Sequence, residues 1–130
     1  MPRYVVLLHE DETRWADPTP ELWQDAVAGH TAFARAVGES GSKVVLGEAL
    51  VATHAARSVR RGRDGVPGTV TDGPHTQEAE PLGGVYVLDA PDLATVERCA
   101  GLLPSDTVEI RAVADVHVPG EDTPGGGLDS

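Results

Sequence analysis

Gly84-Val85-Tyr86-Val87-Leu88-Asp89, followed by Pro91-Asp92 and, after Pro104, by Thr107-Val108-Glu109-Ile110-Arg111-Ala112-Val113, is the stretch that decides the fold. The four consecutive apolar side chains Val85, Tyr86, Val87 and Leu88 between Gly84 and Asp89 read as a strand. Pro91 and Asp92 then supply a helix start, and Leu93, Val96, Ala100 and Leu103 repeat at three- and four-residue spacing on one side. Pro104 stops that helix. Over 107–113 the period changes to two, with Val108, Ile110 and Ala112 alternating with Glu109 and Arg111, and a last strand is expected.

The first half of the chain has the same rhythm. Arg3 to His9 contains the apolar run Val5, Val6, Leu7 and Leu8 and reads as a central strand. The acidic segment from Glu10 to Pro18 is expected as a loop. Thr19 is placed to cap a helix, with Pro20 at its first position and Glu21 near the positive end of its dipole. That helix should run to Gly38 or Gly41, with Leu22, Ala26, Val27, His30, Phe33, Ala34 and Val37 as its apolar stripe. Lys43 to Val51 gives a second strand. Val59 and Val70, flanking Arg63-Asp64-Gly65, give a hairpin.

The order is strand, helix, strand, hairpin, strand, helix, strand. This predicts an α+β fold of the ferredoxin-like, split βαβ kind: an antiparallel sheet with two helices on one face and an inserted hairpin. The opposite face would be bare and apolar, so a homodimer through that open sheet face is expected. The domain is expected over 1–116, and the Pro-, Gly- and acid-rich 117–130 as a disordered tail.

Composition narrows the function. At 130 residues the chain suits one domain. The 21 acidic against 10 basic residues give a net charge of −11, which repels phosphate backbones and argues against a nucleic-acid partner. The apolar run near the N-terminus is too short for a signal or a membrane span, so no membrane partner is expected. The single cysteine, Cys99, forms no internal disulfide and reads as a core or interface thiol. A cytoplasmic setting fits.

The segment Val70-Thr71-Asp72-Gly73-Pro74-His75, with Glu78, Glu80 and then Leu82-Gly83-Gly84, resembles the DGPF-motif branch of the YCII-related family. The final strand Val108-Glu109-Ile110-Arg111-Ala112-Val113 and the stretch Gly47-Glu48-Ala49-Leu50 are similar to it as well. The resemblance covers most of residues 4–113. It implies a dimeric α+β barrel with a cleft between helix and sheet, and a histidine–aspartate pair facing that cleft, here His30 and Asp72. It also implies a cofactor-independent lyase or isomerase acting on a small molecule, or else a non-catalytic ligand- or protein-binding regulatory module. Departures from the family are His75 in place of its Phe, and Gln77 and Ala79 in place of its Glu and Lys, which removes a cation from the cleft mouth.

His30 and Asp72 suit that chemistry on their own terms. A neutral imidazole can take a proton, and a carboxylate on its second nitrogen fixes the tautomer. Equally, His30 could be a core histidine tied to a turn carboxylate, and Asp72 a turn former before Gly73-Pro74. His75, Glu48 and Arg57 are candidate substrate-binding residues. Arg57 belongs to a basic cluster with Arg60, Arg61 and Arg63, which otherwise reads as a solvated hairpin face. The five histidines His9, His30, His54, His75 and His117 lack zinc-type spacing. A metal set of His30, His75, Asp72 and Glu48 is a lesser alternative, and no cofactor is implied.

Overall fold

The computed structural model of the chain describes residues 1–116 and 119–120. Six strands and two helices follow in the order β1 (Arg3–His9), α1 (Pro20–Glu39), β2 (Lys43–Ala49), β3 (Arg57–Arg60), β4 (Thr69–Asp72), β5 (Leu82–Asp89), α2 (Leu93–Ala100) and β6 (Thr107–Ala112). The main sheet has the order β2-β5-β1-β6, and its three neighbouring pairs are all antiparallel. This is the ferredoxin-like arrangement. β3 and β4 form a separate two-stranded sheet. The tail expected over 117–130 falls, apart from 119–120, outside the described residues.

Each element starts where local chemistry dictates. The Thr19 side chain accepts from the Leu22 amide at 3.1 Å and Pro20 opens α1. Asp92 accepts from the Thr95 amide at 2.9 Å and opens α2. Thr19→Ala should therefore lower the unfolding free energy by about 0.5–2 kcal/mol, read from chemical denaturation, with the native topology kept. The acidic segment after β1 is not a plain loop. Asp11 caps a short 3₁₀ turn over Glu12–Trp15, and Arg14 pairs with Asp106 across the chain.

Register assigns the faces. Tyr4, Val6 and Leu8 of β1 lie beside Leu88, Tyr86 and Gly84 of β5 and beside Ala112, Ile110 and Val108 of β6. This face packs on Phe33 and Val37 of α1 and on Val96 and Cys99 of α2. Cys99 is thus a core thiol. The α1 stripe differs from the expected one, since Val27 and Ala34 point to solvent while Gly29 and Ala36 turn partly inward. The opposite sheet face carries Val5, Leu7, Val85, Val87 and Leu46, rimmed by Arg3, Asp89, Glu109 and Arg111. Among the described residues no helix is long and apolar enough to cross a membrane.

Candidate functional site

A cavity of about 290 Å³ opens where the middle of α1 meets the ends of β2 and β5. His30 is brought there by α1, Tyr86 by β5 and Glu10 by the end of β1, while Glu48 of β2 reaches its edge in register with Val85 on the opposite sheet face. The His30 Nδ1 and Tyr86 Oη lie 2.6 Å apart, a short hydrogen bond between side chains 56 residues apart in sequence. Phe33, one turn on from His30, holds the Tyr86 ring with centroids at 4.6 Å.

Gly47 makes the position of Tyr86 available. It is the β2 neighbour of Tyr86 in register, and a methyl group added at Gly47 would sit 2.6 Å from Tyr86 Cε1. The ring lies over the bare backbone. Gly47→Ala is expected to displace the phenol from His30 and to cost about 1–3 kcal/mol through overpacking, checked by denaturation together with the His30 ring resonances.

The surroundings set both protonation states. Removal from water pushes His30 below its ordinary value of 6.5, with the Glu10 carboxylate opposing the shift in part. Tyr86 is pushed above 10.0 by the same loss of solvation. At neutral pH the pair is therefore a neutral imidazole against a neutral phenol. His30 is half-buried rather than sealed. Its Nε2 has no hydrogen-bond partner among the described residues, whereas the buried Nε2 of His9, also without a hydrogen bond there, lies 3.6 Å from Glu109 Oε1.

His30 and Glu48 both line the cavity; Asp72, His75 and Arg57 do not. Asp72 lies directly across the hairpin from Arg57, with Oδ1 3.1 Å from Arg57 Nε, and both side chains are largely exposed. Such a pair contributes little stability. Thus the histidine and the aspartate each have a different partner within the chain. The Asp72-Gly73-Pro74 turn itself is a backbone device: Gly73 has φ of 90°, and its amide donates to the Ala56 carbonyl at 2.7 Å. His75 is exposed. Among the described residues, no group of three or more His, Cys, Asp or Glu side chains is arranged to hold a metal ion.

A family model for the YCII-related domain matches residues 3–117. The chain belongs to the YCII-related family. The match spans the whole ferredoxin-like sheet, both helices and the hairpin. No curated protein is significantly similar to the chain. In this YCII-related domain Tyr86 is the site residue that sequence reasoning missed, having been assigned only to a strand. Its signal was a glycine, Gly47, in the middle of the neighbouring strand, since a glycine there marks a close approach.

Proposed function

We propose that this YCII-related chain is a cofactor-independent acid–base enzyme of the lyase or isomerase type, with His30 as base and Tyr86 as its orienting partner. The observation that carries this reading is the 2.6 Å contact between His30 Nδ1 and Tyr86 Oη at the wall of the cavity. With Nδ1–H donating to the phenol oxygen, Nε2 keeps its lone pair and the phenol proton is left to point elsewhere.

The chemistry follows. Nε2 takes a proton from a carbon next to a substrate carbonyl, and the C–H electron pair moves into the carbon–carbon bond to give an enolate. The Tyr86 hydroxyl donates to the enolate oxygen, and Glu10 favours the imidazolium that has formed. Return of the proton at a different carbon gives isomerisation, while loss of a neighbouring leaving group gives elimination.

The test is proton exchange. Small lactones and cyclic ketones incubated with the protein in deuterated water should exchange their activated C–H, followed by NMR. His30→Gln should slow the exchange by about 100-fold or more. Ligand binding with no turnover in either protein would favour the non-catalytic module.

The same pair predicts a pH profile. Because His30 titrates below 6.5, the acid limb of the rate should lie below pH 6.5 rather than at it. Stability follows the same sign. The unfolded chain binds the proton first as pH falls through 6.5, so stability conferred by the neutral imidazole is full above 6.5 and declines below it. Tyr86 acts at the other end, its contribution being lost as pH rises past 10.0. Denaturation midpoints across pH, compared between the wild type and His30→Gln, check the acid side.

The open sheet face is proposed to close on a second copy. Val5, Leu7, Val85 and Val87 are flanked by Leu46 at 43% exposure, an apolar strip with neither of the described helices over it. Val87→Asp should convert a dimer to a monomer in analytical ultracentrifugation. A wild type that sediments as a monomer would contradict this.

A further inference from the structure

The His30 cavity does not end at Glu10. Glu10 and Gly83 also line an adjoining cavity of about 460 Å³, whose walls include Trp15, Ala16, Leu50, Val51 and Ala52. The rest of its lining is Glu12, Thr13 and His54. Leu50 and Val51 are 45% and 73% exposed, so their side chains stand ready for a ligand rather than for the core. Trp15 is held edge to face against Trp23 at 4.9 Å, which fixes one wall.

The wall that the two cavities share depends on Gly83. A methyl group added there would lie 3.1 Å from Glu10 Oε2, so the bare backbone gives the carboxylate room between the two spaces. Charge then decides what fits. Among the described residues no Lys or Arg lines either cavity, whereas Glu10 lines both and Glu12 the second, with His30 in the first and His54 in the second. The Glu12 carboxylate is occupied, accepting from the Thr53 amide at 2.7 Å and its hydroxyl at 2.8 Å. Glu10 accepts from the Ser105 hydroxyl at 3.1 Å and has no cationic partner among the described residues.

We propose that this second cavity is the subsite for an apolar ring of an uncharged or cationic substrate whose reacting carbon lies at His30, an inference that rests on the acid–base reading above. The space is ample, since an apolar cavity of about 150 Å³ already accepts benzene. Ring contacts come from Trp15, Leu50 and Val51, and an anion is repelled by carboxylates with no guanidinium or ammonium to offset them. The reactive and the recognition halves of the ligand are thereby divided on either side of Glu10.

Amide-detected NMR of the full chain titrated with benzyl alcohol, benzylamine and benzoate tests this. The alcohol and the amine should give saturable shifts at Ala16, Val51 and Gly83, with benzoate weaker by about tenfold or more, roughly 1.4 kcal/mol. Trp15→Ala should weaken the alcohol by about 2- to 10-fold, the range of one aromatic contact. Leu50→Asn serves as the second variant should Trp15→Ala not fold. Benzoate binding as tightly as the alcohol, shifts clustered away from these residues, or wild-type affinity in both variants would overturn the subsite. The titration reads binding at the second cavity and requires no turnover. Failure of the acid–base reading therefore registers in the exchange assay alone, while the binding order reports on the subsite.

Discussion

Replacing His30 by glutamine is expected to lower the rate of proton exchange by about 100- to 10,000-fold, the contribution of a positioned general base. The fold should survive. His30 is half-buried, and glutamine has both a donor and an acceptor with which to meet the Tyr86 hydroxyl. Equal melting temperatures for the two proteins, beside the rate loss, would separate chemistry from stability. Tyr86→Phe should cost less, about 100- to 1,000-fold, because it removes one donor to the developing oxyanion and leaves the base in place. A rate loss in Tyr86→Phe as large as that in His30→Gln would point instead to a collapsed site.

Phe33→Ala carries the second large effect. Phe33 is fully buried and sits at the centre of the core between α1 and the sheet, with Val6 and Leu88. Truncation there is expected to lower the unfolding free energy by about 3–5 kcal/mol, from lost transfer energy and the cavity left behind. Against a usual total of about 5–15 kcal/mol this is severe. Phe33 also backs the Tyr86 ring at 4.6 Å, so whatever folded protein remains should have a loosened phenol and reduced exchange. Urea denaturation followed by circular dichroism measures the first effect, and exchange at low denaturant the second.

The fold was legible because its signals are local. Val85 to Leu88, Pro91-Asp92 and the alternation over Val108 to Ala112 each fix an element by period or by cap, and together they leave one topology. Asp64-Gly65 marked the hairpin turn correctly, since both residues have positive φ, at 54° and 75°. The α1 stripe was legible less sharply. Val27 and Ala34 are apolar but lie one residue, about 100° of helix, past Ala26 and Phe33, and that rotation takes them out to solvent. Gly29 faces Pro104 instead, whose ring would lie 2.9 Å from an added methyl group, and Ala36 packs against the core.

The site was half legible. His30 could be picked out as a polar residue on an apolar helix face. Asp72 could not be placed, because nothing in a two-stranded hairpin's own pattern says which way it leaves the sheet. Once Arg57 stands directly opposite Asp72 in register, the nearest cation takes the carboxylate. Tyr86 was hidden by its setting in a strong strand, where an aromatic reads as core. Only the pairing of β2 with β5, which sets Gly47 beside it, reveals the phenol as a partner for His30.

The most direct test of the pairing is a multiple-bond ¹H–¹⁵N spectrum of the His30 ring in the wild type and in Tyr86→Phe, recorded across pH. In the wild type it should show a neutral ring at pH 7, protonated on Nδ1 with Nε2 carrying the lone pair, and a titration midpoint below 6.5. Tyr86→Phe should lose that tautomer preference. A wild-type ring protonated on Nε2 at neutral pH, or a midpoint at or above 6.5, would contradict His30 as the base.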